Sequence, residues 1–582
     1  MQQAISAALI DRGSSRARLV ESLTAAAVIA VALGAFLFLF NRSNVLSHSI
    51  GYNLYASERV LEGNIPYRDF HTLYPLAIFY VNAAVFKWLG VSLYYALAGV
   101  LIFKVLTVLV IYLNGRQVMP RGWALAAALS GLLWLRPNGP FKPVPMHYGA
   151  LFLALAMLLL LKYENRQKLK LVFLAGASLG LVALFKHNIG AYAIAGTIAV
   201  LLFEVRGDAR QMSLAVEKPD STRSHRLRFA RYRSLRPVLA LLTGCAATLV
   251  PALAYMRAND ALAPMIRTLL FGPGEFLLSR LAIPLSPVAP VVLVTAIVLI
   301  TWAAHRLPRH PAIATAMWVA LIAGISLFIL RGNQADVNQI IFYLPVMTLA
   351  CGFVIAIFGD IAVTDRRSLV IAFIFAAAAL MEAFPRFARE QSIAAMPLTM
   401  LFLVFLLYVL RPAIRGLLTR TLQYRLALAV LPITFVLIEA RMFIDTYFDN
   451  HIGFRANTEL KIDRGRGVYF PAATAALIEA VVNYVEQRIP PGGYAFAQSD
   501  AGTSFLFLSD RRNISNAQFW IGVGVTPEER AATLDRIDKT QTKLIITSDE
   551  VLAAEKYGPM RDYIEQNFKV GARFDDVLIL ER

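Results

Sequence analysis

The chain has 582 residues, 58% of them hydrophobic and only 16% charged, whereas a soluble globular protein carries about 25% charged residues. An ordinary soluble domain is excluded. The formal charge of +19 would suggest nucleic acid in a soluble chain. In a membrane protein it is the usual excess of Lys and Arg in cytoplasmic loops, and nucleic acid is set aside as a partner.

The first apolar run, Leu23 to Phe40, follows Arg12, Arg16 and Arg18 and shows no small-residue cleavage site. It reads as an uncleaved signal-anchor helix. Apolar runs of sufficient length for a ~30 Å hydrocarbon core place membrane helices near 22–40, 92–113, 121–136, 146–162, 170–185, 188–205, 237–256, 286–304, 312–330, 339–358, 367–384, 395–411 and 424–443. With a cytoplasmic N-terminus, the inner loops hold about twice as many Lys and Arg as the outer ones, which sets the orientation. The basic stretch 206–236 is then a cytoplasmic loop, expected to be mobile on the anionic lipid face. The two cysteines, Cys245 and Cys351, fall in apolar runs, so neither a disulfide framework nor a thiolate metal site is expected.

The first outer loop, 41–91, joins Glu58, Arg59, Glu62, Arg68, Asp69 and His71 to an aromatic, apolar run. If Leu73–Leu89 spanned the bilayer, every later loop would change sides, so this stretch is expected to be an interfacial or re-entrant helix opened by Pro75. Ionisable groups at membrane depth are functional candidates by default, set against long basic side chains that merely reach for the interface. Asp69 suits a general base taking a proton from an acceptor hydroxyl. The alternative is an ion pair with neighbouring Arg68 or a cap on the helix that starts near Pro75. Glu58 and Glu62, four residues apart beside Arg59, read as a solvated helix face.

Further along, Lys186, His187 and Asn188 in KHNIG interrupt two apolar runs. Ammonium and imidazole groups donate to phosphoryl oxygens, and a plain polar turn is the alternative. The Pro-rich segment from Arg136 to Gly149 offers Lys142 and His147. RGNQADVNQ offers Arg331, Asp336 and Asn338 for a sugar or phosphate. Glu382, next to Arg386, reads as half of an intrahelical ion pair.

From about residue 444 the composition changes and no apolar run is long enough to cross a membrane. Strand-like runs at 494–498, 543–548 and 576–580 alternate with helical stretches at 471–488, 527–539 and 549–567, the pattern of a small α/β domain. The expected fold is therefore a polytopic α-helical membrane domain over 1–443, with about thirteen transmembrane helices, and an extracytoplasmic α/β domain over 444–582. There is no GxxxxGK[ST] loop, no GxGxxG after a strand and no HExxH, hence no sign of a nucleotide-driven engine; the GxSxG match at Gly176–Gly180 lies inside an apolar run rather than at a strand-to-helix turn, so it is no sign of a serine hydrolase.

The stretch 51–90 resembles the first outer loop of bacterial GT-C glycosyltransferases, especially the dolichyl-phosphate-mannose-protein mannosyltransferase-like and RgtA/B/C/D-like groups. Ala56, Gly63, Pro66, Tyr67, Asp69, Phe70, Pro75 and Gly90 carry the match. The resemblance implies inverting transfer of a sugar from a polyprenyl-phosphate donor to a glycan, lipid or protein acceptor on the outer face of a bacterial inner membrane. Carried over by position, Asp69 is the only acid of the motif and the candidate base, while the residues themselves make Tyr67, Arg68, His71, Lys142, His147, Lys186, His187, Asn188, Arg331, Asp336 and Asn338 the candidate substrate-binding set. A divalent cation is the one cofactor left open, with no metal ligands assigned. Many relatives carry an acid just before the loop helix, where this chain has His48, Ser49, Ile50 and Gly51. Two other functions fit the composition: a transporter or flippase of lipid-linked glycans, and a non-catalytic membrane scaffold. The absence of an internal repeat speaks against the transporter.

Overall fold

The structure is a computed structural model that describes residues 2–43, 46, 48–135, 142–215, 224–271, 319, 320, 323, 334–358, 363–382, 389–418, 433, 436–441, 444, 457–499, 501–517, 527–553 and 558–582. It is mostly helical, with a small α/β region at the C-terminal end.

The helices are α1 (Gln2–Leu37), α2 (His48–Leu61), α3 (Ala77–Leu89), α4 (Leu93–Val118), α5 (Arg121–Trp134), α6 (Pro145–Arg166), α7 (Leu169–Phe185), α8 (His187–Ala215), α9 (Ser224–Ala258), α10 (Leu262–Phe271), α11 (Gln334–Phe358), α12 (Val363–Leu380) and α13 (Arg389–Leu418). Among the described residues, five stretches are long and apolar enough to cross a membrane: Ala17–Leu37, Leu93–Val118, Pro145–Arg166, Leu235–Ala258 and Ala394–Arg411. Leu169–Phe185, His187–Leu202 and Leu344–Ala356 are shorter apolar helices. The expected span 286–304, and most of 312–330 and 424–443, lie outside the described residues.

The basic segment expected to be a mobile loop is instead helical over 206–215 and 224–236, as continuations of α8 and α9. Its Arg, Ala, Leu and Met residues are good helix formers, so both apolar cylinders extend past their membrane-length portions. The helix expected over Leu73–Leu89 is α3, with 13 residues. At 1.5 Å per residue it rises about 20 Å, short of the ~30 Å hydrocarbon core. Gly90, at φ 97°, ends it by returning its N–H to the Phe86 carbonyl, and Trp88 is left 82% exposed beside that end. Ser92 caps the following α4 by accepting from the Tyr94 N–H at 3.2 Å.

In the C-terminal region a two-stranded antiparallel pair, β1 (Asn457–Glu459) and β2 (Tyr469–Pro471), precedes α14 (Ala472–Arg488). A five-stranded sheet follows. It comprises β3 (Tyr494–Ala497), β4 (Arg512–Asn513), β5 (Leu544–Thr547), β6 (Lys569–Phe574) and β7 (Val577–Glu581), in the order β4-β3-β5-β7-β6. β3 runs parallel to β4 and β5, while β7 is antiparallel to β5 and β6. The connecting helices are α15 (Gly502–Leu508), α16 (Pro527–Lys539), α17 (Asp549–Ala553) and α18 (Gly558–Asn567). The inward faces of α14 and β3, with Val481, Val482, Val485, Ala495 and Ala497, join one continuous apolar cluster with the transmembrane helices.

This continuity has a cause at the end of α1. The Asn41 amide donates to the Gly467 carbonyl at 2.7 Å, and the Tyr469 N–H donates to the Asn41 carbonyl at 2.9 Å. Phe86 of α3 stacks on Phe507 of α15 with ring centroids 5.9 Å apart. The α/β region therefore sits directly on the first loop.

Candidate functional site

The first loop is locked into two directions. One face of α2 meets the α/β region. The turn after it faces the helix ends near α7, α8 and α10.

On the first face, Glu58 is 3% exposed. Arg464 grips it with both guanidinium nitrogens, at 2.8 and 2.9 Å, and Arg512 approaches the same carboxylate at 3.3 Å. Arg512 also pairs with Glu62, and Asp510 accepts from Arg464 at 2.6 Å. The solvated face expected for Glu58 and Glu62 is thus corrected for Glu58. It is a buried ion-pair centre, because Arg464 and Arg512, remote in sequence, fold over it. The Asn513 N–H donates to the Tyr55 hydroxyl at 2.6 Å. A Cβ on Gly51 would lie 2.2 Å from Ser504 Oγ and 2.3 Å from Ser504 Cα, so only glycine lets α2 approach α15 this closely.

On the second side, the turn Ile65–Phe70 is closed by its own backbone. The Tyr67 N–H donates to Phe70 O at 2.8 Å, and the Asp69 N–H to Ile65 O at 2.9 Å. Tyr67 adopts φ 67° and is buried, and its hydroxyl donates to the Tyr74 carbonyl at 2.6 Å. Asp69 accepts from Arg68 through both carboxylate oxygens at 2.8 Å and from the Ile65 N–H at 2.7 Å. The Arg68 guanidinium holds the Asp69 carboxyl below the usual carboxylate range; partial burial opposes it and the Ile65 amide assists. Asp69 is therefore an ionised carboxylate with three of about four acceptor positions filled. The open one is on Oδ1.

His71 points elsewhere. Its N–H donates to Asn516 O at 2.9 Å, and its ring nitrogen Nε2 is buried with no hydrogen-bond partner. Burial pushes its pKa below the usual histidine value, with Glu529 opposing. It belongs to the seam with the α/β region.

Lys186 is the single residue between α7 and α8, and His187 and Asn188 open α8. The close approach there is set by Gly190, whose Cβ would fall 2.5 Å from Ala183 Cα. Lys186 Nζ lies 3.3 Å from Glu382 Oε1, with side chains 21% and 10% exposed, and 5.3 Å from the centroid of the Tyr74 ring. Glu382 thus pairs with Lys186; Arg386, its expected intrahelical partner, lies outside the described residues. Glu382 Oε2, His187 Nδ1 and Asn188 Oδ1 are buried without a hydrogen-bond partner, and the backbone of Leu269 in α10 lies within reach of the His187 ring.

His147 Nδ1 donates to the Lys142 carbonyl at 2.7 Å. The next residue, Tyr148, stacks on Phe185 at 5.6 Å and donates to Asn82 of α3 at 2.8 Å, so the start of α6 abuts the Lys186 turn. Lys104, which the sequence reading did not single out, is 1% exposed and donates to Leu135 O at 3.0 Å. A lone Lys in an apolar run was its only signal. Arg331 lies outside the described residues. Asp336 and Asn338 fall near the start of α11, where only their place on the helix is described. Among the described residues no group of three His, Cys, Asp or Glu side chains is gathered to hold a metal.

The structure thus brings Tyr67, Lys186, His187 and Asn188 to one neighbourhood through Tyr74, with Asp69 two residues from Tyr67, and sets His71 apart. An ammonium beside an aromatic face, with open hydrogen-bond positions around it, can take a phosphoryl oxygen or a sugar hydroxyl.

No family model matches the chain, and no curated protein matches it. Several solved structures are similar to it over most of its length. The oligosaccharyltransferase of Archaeoglobus fulgidus, tethered with an acceptor peptide, is 12% identical, with a TM-score of 0.46 over 94% of this chain and 72% of that one. AglB from the same organism, in complex with an inhibitory peptide and a dolichol-phosphate, is 14% identical, with a TM-score of 0.42 over 92% and 71%. ArnT from Cupriavidus metallidurans in the apo state is 12% identical, with a TM-score of 0.43 over 97% and 98%.

Proposed function

We propose that the protein is an integral-membrane glycosyltransferase. It moves a sugar from a polyprenyl-phosphate donor to a glycan, lipid or protein acceptor at the outer face of a bacterial inner membrane. Residues 1–443 form the transmembrane catalytic domain, and 444–582 an extracytoplasmic domain seated on its first loop. The observation that carries this reading is the link from the loop motif to a cation. Tyr67 fastens Tyr74 through its carbonyl, and the Tyr74 ring faces the Lys186 ammonium.

In this reading Lys186, with His187 and Asn188, holds the donor phosphate. An acceptor hydroxyl attacks the anomeric carbon from the side opposite the phosphate. The new C–O bond forms as the bond to the phosphate oxygen breaks, so the configuration inverts. The acceptor proton passes to Asp69, whose remaining position on Oδ1 is free to receive it, and the lipid phosphate leaves with the electron pair. A carboxylate held by an arginine fork is a weak base. It suits a step in which the hydroxyl loses its proton late, as the glycosyl cation develops.

The test is transfer from radiolabelled polyprenyl-phosphate sugars in proteoliposomes, comparing wild type with Asp69→Asn. The expected loss is roughly 10²–10⁴-fold, the usual contribution of a general base. Transfer that survives the substitution removes Asp69 from the base role. No transfer by either protein, with several donors, removes the glycosyltransferase reading.

A further inference from the structure

Lys186 and Glu382 are almost out of water, at 21% and 10% side-chain exposure. A cation so placed needs a counter-charge, and removing one partner of such a pair is costly. Glu382 supplies the charge through one oxygen only. Its second oxygen, Oε2, is buried with no hydrogen-bond partner. The residue follows the last turn of α12, where its N–H donates to Ala379 O at 3.1 Å. Lys186 has a second, uncharged support in the Tyr74 ring, and that ring belongs to the loop rather than to α12. The carboxylate can therefore leave without uncoupling Lys186 from the loop.

We infer that Glu382 is a resident counter-ion that an arriving lipid phosphate displaces from Lys186. The inference rests on the proposed lipid-phosphate donor and adds the protein group that competes with it. Two anions cannot share one weakly solvated ammonium without mutual repulsion. Phosphate binding and release of Glu382 are then one exchange, and the carboxylate weakens donor affinity in return for keeping Lys186 charged and placed between turnovers. A neutral lipid alcohol brings no charge to exchange and does not disturb the pair.

The experiment measures binding without turnover, with the full-length protein in nanodiscs, undecaprenyl phosphate as the probe and undecaprenol as the uncharged control. Glu382→Gln removes the competing charge and keeps the shape. It is expected to bind undecaprenyl phosphate roughly tenfold more tightly than wild type, the order expected for one partly screened charge, with undecaprenol unchanged. Unchanged or weaker phosphate binding by Glu382→Gln overturns the exchange. Since Lys186→Met alone would strand a buried carboxylate, the second variant is Lys186→Met/Glu382→Met, whose apolar pair is expected to fold with near wild-type Tm. It should lose the preference for phosphate over alcohol, and retention of that preference also overturns the proposal. The transfer assay fails independently. A protein that shows the exchange but moves no sugar keeps this inference for a lipid phosphate and loses the glycosyltransferase reading.

Discussion

Two carboxylates of this molecule are held in opposite ways. Glu58 accepts a two-nitrogen grip from Arg464 and has Arg512 as a second cation. Glu382 meets Lys186 through one oxygen and leaves the other unpartnered. Burial is similar in both places. What differs is how many of the carboxylate's acceptor positions the protein fills itself. A filled set fastens two parts of the chain together. An unfilled set, beside a turn whose His187 and Asn188 also have unpartnered atoms, leaves room for a ligand to complete it. Buried charge alone does not mark a binding site; the spare valences do.

The hardest way to break this contrast is to open the filled cluster. Glu58→Ala removes the buried carboxylate that Arg464 and Arg512 share and leaves them only the more exposed Asp510 and Glu62; it should cost about 1.5–3 kcal/mol, the usual contribution of hydrogen bonds to a charged group. Faster proteolysis of the α/β region would show it, together with a lower Tm. If both stay at wild-type values, the cluster is not a fastening. Gly51→Ala attacks the same junction by sterics alone. Its Cβ would meet Ser504 Oγ and Cα at 2.2 and 2.3 Å, and since one of these is backbone, α2 must move. A loss of about 1–3 kcal/mol is expected, read as a fall in the denaturant midpoint. A neutral result would mean that α2 and α15 are free to separate.

The α/β region was the most legible part of the sequence. Short apolar runs bounded by polar residues announced β3, β5 and β7, and Pro527 followed by Glu528 and Glu529, with Arg536 and Lys539 in the last turn, marked both ends of α16. β4, two residues long, and β6, reading KVGARF, had no such signal; they are edge strands that pairing defines. The polar break at Lys186–Asn188 was visible because it interrupts apolar runs. Its partner Glu382 was not, because a local reading could offer only Arg386. Glu58 was misread for the same reason, since nothing near it in sequence hints that Arg464 will cover it. Local pattern located the cations and anions; only the fold could say which belong together.

The smallest expected effect concerns His71, which sits where the loop meets the α/β region. Its Nε2 is buried without a partner, and burial lowers its pKa despite Glu529 nearby. Glu529 is already committed, pairing with Arg536 at 3.1 Å and accepting from the Asn516 N–H at 3.2 Å, so it offers an imidazolium little relief. A histidine with a depressed folded-state pKa binds fewer protons folded than unfolded, so its contribution to stability is complete above its ordinary value of 6.5 and declines as pH falls below that. The seam should therefore loosen modestly between neutral pH and pH 5, seen as a falling Tm. His71→Gln, which cannot titrate there, should flatten that slope while carrying a constant penalty of its own. If the variant follows the wild-type slope over that interval, His71 is not the group whose protonation loosens the seam, and its buried Nε2 carries no acid sensitivity.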